Sequence, residues 1–203
     1  MADAEKLVWM DLEMTGLDPE RHVIVEIACI VTDANLKPLD EGVSYVVSAT
    51  PAQLAQMDEV VIDMHTKSEL LPEIPNGISN EDAEQLVLTY IKQHVTEPRK
   101  APLAGSSIYV DRMFLNKYMP TLDNYLHYRL VDVSSVKELA RRWFPRAYYA
   151  SPTKEGNHRA LADIADSIRE LDFYRKAVFV EGDGPDMKTA KNIAANLGNS
   201  SAE

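Results

Sequence analysis

Along the first quarter of the chain, apolar residues come in short dense runs. Residues 7–13 (LVWMDLE) and 23–32 (VIVEIACIVT) are rich in β-branched and aromatic side chains, which predicts strands. Gly16 and Pro19 lie between them, so residues 15–21 predict a turn. A third extended run spans 43–48. Three strands with short links predict an antiparallel meander. The period then changes. Ala83, Leu86, Val87, Tyr90 and Ile91 recur at the i, i+3, i+4 spacing of a one-faced helix over 80–95, with Ser79 and Asp82 as its capping signal. A short strand at 102–104 leads into Gly105, a helix at 109–118 stops before Pro120, and residues 129–133 form another strand. Ser135 and Glu138 make a capping-box pair for a helix at 136–144 that Pro145 ends. The last strong signal is the amphipathic stretch 160–178, with Leu161, Ile164, Ala165, Ile168 and Leu171 on one face. The order, roughly β-β-β-α-β-α-β-α-α, predicts an α/β fold: a mixed sheet, antiparallel meander plus parallel strands, flanked by helices. Beyond residue 180 large apolar side chains nearly vanish. Residues 1–180 therefore read as one domain and 181–203 as a flexible tail, with a marginal helix at 187–197.

Composition narrows the function. A chain of 203 residues, 45% apolar and 26% charged, suits one compact domain and excludes pervasive disorder, collagen repeats and coiled coil. No apolar run reaches the roughly 18 residues of a membrane span, and the polar start MADAEK lacks a secretory pattern. The lone cysteine, Cys29, sits in an apolar run and reads as a buried strand residue. The expected location is the cytoplasm. The net charge of −11 speaks against a coat of long nucleic acid, whose binding depends on neutralising phosphates. Yet residues 111–159 carry nine Lys/Arg against five Asp/Glu. That local excess suits a short or small anionic ligand, or is ordinary variation in a solvated surface.

The carboxylates are the most informative residues. Alternate strand residues share a face, so Asp11 and Glu13 project together just before the turn at Gly16. Two such charges resist burial unless a cation lies between them, and oxygen ligands suit Mg²⁺ or Mn²⁺. A solvated strand end is the plainer reading. Asp111 opens a helix, where an acid also simply favours the helix dipole. In the segment 156–163 (GNHRALAD), His158 sits where the chain enters the last long helix, and Asp163 lies at the edge of its apolar stripe, able to reach the sheet. Imidazole suits proton abstraction near neutral pH. Separately these are a surface histidine and a surface acid. Together, four acids and an imidazole could serve a metal pair that hydrolyses a phosphodiester. Two rivals remain at this point: a metal-free carboxylate-pair glycosidase, and a nucleotide-binding module without catalysis.

Asp11-x-Glu13, Asp111 and His158-x-Ala-x-x-Asp163 resemble the DEDDh group of 3′-to-5′ exonucleases, which have a ribonuclease-H-like fold, and within it the oligoribonuclease family. The resemblance runs from about residue 7 to 180 and includes DLEMTGLDPER from Asp11, VTDAN from Val31, KYMP from Lys117, DVS from Asp132 and KELARRW from Lys137. It implies an exoribonuclease that cuts very short RNA, chiefly dinucleotides, to nucleoside 5′-monophosphates, using two divalent cations, Mg²⁺ or Mn²⁺. Asp11, Glu13 and Asp163 would hold the metals, with Asp111 assisting, and His158 would be the general base. Leu17 would wedge between the two bases. Ser107, Arg129 and Ser134 would hold the 5′ phosphate, and His65 and Tyr128 would complete the pocket, Tyr128 across a homodimer interface. Leu17 also reads as a turn residue packed on the core, and Ser134 as a helix cap. The family alternative is a DEDDh exonuclease acting on longer RNA or DNA 3′ ends; the acidic charge and single-domain length favour short substrates, with no stable long nucleic-acid complex. One position departs from the pattern: Val60 stands where many relatives carry Trp, so ring stacking is absent there.

Overall fold

The computed structural model describes residues 2–153 and 158–199. Of the segment 156–163, Gly156 and Asn157 lie outside the described residues, as do residues 200–203 of the tail. The strands are β1 (Leu7–Met14), β2 (Ile24–Thr32), β3 (Val43–Val46), β4 (Pro102–Gly105) and β5 (His127–Asp132). They form one sheet in the order β3-β2-β1-β4-β5. The meander β1–β2–β3 is antiparallel, and β1–β4 and β4–β5 are parallel, as the strand and helix order predicts.

Strand alternation splits the core in two. Val8, Met10 and Leu12 point to one face, with Ile27, Cys29 and Val31 of β2. They pack on α3 (Asn80–His94), α4 (Tyr109–Tyr118) and α5 (Pro120–Tyr125). Trp9, Ala28, Ile30 and Ala104 point the other way, against Ala160, Ile164 and Ile168 of α8 (Ala160–Val178). Asp11 and Glu13 continue the row that Trp9 starts, so they emerge on the α8 side. β2 is buried on both faces along its whole length, the reason its sequence is a continuous apolar run. No described helix is long and apolar enough to cross a membrane.

Several helices depart from the expected pattern. α1 (Pro51–Leu54) and α2 (Glu59–Lys67) fill a stretch with no predicted element. They close a third apolar cluster of Val25, Met57, Leu70 and Ile74. Pro120 and Pro145 end one helix and occupy the first position of the next, α5 and α7 (Pro145–Tyr149), because proline's fixed φ suits a helix start as well as a stop. α6 runs Val133–Trp143 and begins three residues before the expected start. Its cap is Asp132, whose side chain accepts the Ser134 N–H, in place of Ser135. Ser79 caps α3 as predicted, accepting the Asp82 N–H. The marginal tail helix is α9 (Met187–Asn199), with Met187, Ile193 and Leu197 exposed.

Candidate active site

Three elements converge where β1 ends. From β1, Glu13 reaches the α8 side with only 7% of its surface exposed, and Asp11, two residues before it, shares that face. α4 places Asp111 in its first turn, where Asp111 Oδ1 accepts the Leu12 N–H at 2.9 Å, between the two β1 acids. Asp163 comes from the first turn of α8. His158 precedes α8 with φ of +47°, a left-handed backbone that costs a non-glycine residue on the order of 1 kcal/mol and persists only where its surroundings fix it. Glu13, His158 and Asp163 each bring a ligand atom within 4.8 Å of the other two.

The electrostatics match a cation site. Burial, then the charges of Asp163, Glu26 and Asp111, push the Glu13 carboxyl from its ordinary 4.5 up to about 8, against the opposing pull of Arg159. Burial pushes Asp111 from 3.8 to about 7, although the backbone N–H groups of Leu12 and Asp111 favour its ionised form. Carboxylates held together at this cost are relieved by a divalent cation, and an oxygen-rich set with one imidazole fits a hard ion such as Mg²⁺ or Mn²⁺. His65 of α2 lies directly behind. Its Nε2–H donates to the Met14 carbonyl at 2.9 Å, and its Nδ1 is 3.8 Å from Glu13 Oε2. Burial lowers its pKa below 6.5. His65 is fully buried, so it meets the acidic cluster through Glu13 and opens on no surface.

Around this centre the other predicted residues take different positions. Leu17 is 70% exposed at the tip of the β1–β2 loop. The loop is rigid for stated reasons: a side chain on Gly16 would lie 2.5 Å from the His22 ring, and the Tyr118 hydroxyl donates to the carbonyls of Pro19 and His22 at 2.9 and 2.8 Å. Lys117 adds a bond to Pro19, which gives the KYMP motif a local task. Ser107 and Ser134, from the ends of β4 and β5, bring their hydroxyls 3.0 Å apart. Asp132 Oδ1 arranges this by accepting both backbone N–H groups, Ser107 at 3.0 Å and Ser134 at 2.8 Å. Arg129 and Tyr128 are both exposed on β5, with the guanidinium 5.5 Å from the ring centre. Val60 is exposed in the first turn of α2.

Sequence reasoning overlooked Asp132 as the bracket of the two serines. It also overlooked Glu26 and Arg159, which are joined across 133 positions. A buried acid facing Glu13 across the β1–β2 pair was the available signal for Glu26.

The family model described as exonuclease matches residues 8–171. The chain is similar to the oligoribonuclease of Streptomyces griseus, 56% identical over 95% of this chain and 96% of that one. It is also similar to that of Corynebacterium efficiens, 60% identical over 89% and 82% respectively. Among solved structures, exonuclease I matches with a TM-score of 0.66 at 14% identity, over 86% of this chain and 41% of that one. Escherichia coli exonuclease I in complex with a dA16 oligonucleotide gives a TM-score of 0.62 at 14% identity. The chain spans about two fifths of exonuclease I, and the likeness is one of fold, ribonuclease-H-like.

Proposed function

The chain belongs to the oligoribonuclease family of exonucleases, and from that premise we propose that it is a 3′-to-5′ exoribonuclease that cuts very short RNA, chiefly dinucleotides, to nucleoside 5′-monophosphates. The observation that carries this reading is the meeting of Glu13, His158 and Asp163 within 4.8 Å, beside Asp111 on the Leu12 amide.

In this reading Asp11, Glu13 and Asp163 hold two divalent cations, Mg²⁺ or Mn²⁺, with Asp111 assisting. When bound, the cations supply positive charge and Lewis acidity for phosphodiester hydrolysis. His158 takes the proton from the attacking water. Its neighbours on the chain hold the imidazole toward Glu13 and Asp163. The paired hydroxyls of Ser107 and Ser134 and the fork of Arg129 receive the 5′ phosphate, the geometry hydroxyls and guanidinium suit. Leu17 enters between the two bases, and His65 acts on this pocket through Glu13. A 5′-phosphate clamp at a fixed distance from the acids favours a two-nucleotide substrate over a longer one. Residues 1–180 form the exonuclease domain, and 181–203 stand outside it. The enzyme works as a cytoplasmic homodimer in which the exposed Tyr128 of one protomer reaches the other's pocket.

The test is a digestion series on 5′-labelled RNA of two to ten nucleotides, with Mg²⁺ or Mn²⁺ and with EDTA. Rates should rise as length falls to two and vanish with chelator. Equal rates at all lengths would overturn the short-substrate reading, and activity in EDTA would overturn the metal site.

A further inference from the structure

Glu26 is a buried acid, 1% exposed, with its Cα directly opposite Glu13 across the β1–β2 pair. Like charges at such positions oppose one another, and an apolar residue would serve packing better. Glu26 is instead saturated by donors. Its Oε1 accepts from Arg159 Nε at 3.1 Å, Arg159 Nη2 at 3.0 Å and the Ser44 hydroxyl at 3.1 Å. Its Oε2 accepts the Ala160 N–H at 3.1 Å. Arg159 turns its outer edge to Glu73, with Nη1 and Nη2 at 3.2 and 3.1 Å from the two carboxylate oxygens.

These bonds grip two adjacent points of the chain. Arg159 follows His158, and Ala160 is the first residue of α8. That helix has no side-chain cap of its own, so its first N–H groups need an acceptor from elsewhere. Glu26 supplies it and adds a negative charge where the helix dipole favours one. The left-handed turn at His158 is thereby fixed on its C-terminal side, and Asp163, three residues into the helix, is set in depth over β1.

We propose that Glu26, acting through Arg159 and the Ala160 amide, is the positioning residue that registers His158 and Asp163 against the β1 carboxylates, with Glu73 as the outer anchor of Arg159. With its oxygens engaged by four donors, Glu26 touches neither substrate nor cation; it acts through others. This rests on the catalytic reading given under Proposed function.

The experiment compares wild type with Arg159→Gln, Glu26→Gln and Glu73→Gln, using a 5′-phosphorylated diribonucleotide for kinetics and MnCl₂ titration calorimetry without RNA. Wild-type hydrolysis is the control: if it is absent, the catalytic reading fails and not this proposal. Arg159→Gln and Glu26→Gln should each lower kcat about 10- to 100-fold, the scale of a displaced catalytic group, with KM within about twofold. Manganese binding separates position from charge. Removing the Arg159 cation beside an acidic site tightens Mn²⁺ binding if only charge matters; lost registry of Asp163 weakens it. We expect Arg159→Gln to bind Mn²⁺ at least threefold more weakly. Tighter binding, or a wild-type kcat, overturns the proposal. If Glu26→Gln does not fold, Glu73→Gln decides, since Glu73 is half exposed. It should lower kcat two- to fivefold and add nothing to Arg159→Gln; additive losses overturn the proposal.

Discussion

Asp111 holds the backbone amide of Leu12, with Oδ1 2.9 Å from the nitrogen. β4 pairs with β1 only at Val8 and Trp9, so beyond that point a side chain does what a strand would otherwise do. The same carboxyl is pushed to about 7 by burial, so its charge is costly without a cation. Asn keeps the acceptor and discards the charge. Asp111→Asn should therefore melt no lower than wild type in EDTA at pH 8, while kcat falls at least about 10²-fold if the acid serves the metal site. Asp111→Ala leaves a buried N–H without a partner and should cost about 1–3 kcal/mol of stability. Thermal melts of the two variants, with dinucleotide assays beside them, check this; equal stabilities would sink it.

Glu13 and Asp111 together make the metal-free protein sensitive to pH. Their folded pKa values, about 8 and about 7, lie above their ordinary values of 4.5 and 3.8. The folded state thus holds protons that the unfolded state has released. The stability is fully present below about pH 4 and is lost as pH rises through 7 and 8. With one pKa unit equal to about 1.4 kcal/mol, a fall on the order of 2 kcal/mol is expected after compensation elsewhere. Mg²⁺ replaces the protons. Its increase of melting temperature should be small at pH 5.5 and large at pH 8.5. Melts in EDTA and in MgCl₂ across that range decide, and a magnesium effect independent of pH would contradict the assignment.

The row Trp9, Asp11, Glu13 was legible because strand period alone puts those residues on one face, and α8 was legible from its apolar stripe. Asp163 followed from its place on the edge of that stripe. α2 was not legible: Val60, Val61, Ile62 and Met64 make no one-sided pattern, and the helix exists to cover Val25, Leu70 and Ile74, which are distant in sequence. With α2 unseen, nothing local could place the His65 ring against Met14 and Glu13. The start of α6 was misread for a related reason. Ser135 and Glu138 match a capping box, but Asp132 is fixed by a tertiary bond to the Ser107 amide and captures the Ser134 N–H at the same time.

That double acceptance by Asp132 gives a prediction about the phosphate end. Ser107 has φ of +53°, and its hydroxyl meets that of Ser134 only while both amides are held. Asp132→Ala frees both amides and removes the α6 cap, worth about 1 kcal/mol of stability. KM for a 5′-phosphorylated dinucleotide should rise about tenfold, the loss of one or two hydrogen bonds to a charged group. KM for the same dinucleotide without the 5′ phosphate should hardly change. Equal losses on both substrates would assign Asp132 to folding alone.

Val60 supplies the last prediction. It is 79% exposed in the first turn of α2, and the last turn of that helix is locked to the acidic cluster by His65. Leu17 is exposed on a loop that Tyr118 pins, and Arg21 of that loop reaches Gln56, just before α2. A base held against Leu17 therefore has a rigid neighbour at Val60 that offers contact without a ring face. Base–aromatic stacking contributes about 1–3 kcal/mol, and an exposed position takes the lower end. Val60→Trp should lower KM for a dinucleotide about fivefold and leave kcat and melting temperature unchanged, because nothing is buried beneath the substituted side chain. Steady-state kinetics on dinucleotides with purine and pyrimidine 5′ bases would show the gain larger for purines, whose ring surface is greater. A KM unmoved for both would mean that the first turn of α2 does not face the substrate, and that the loop carrying Leu17 grips the bases alone.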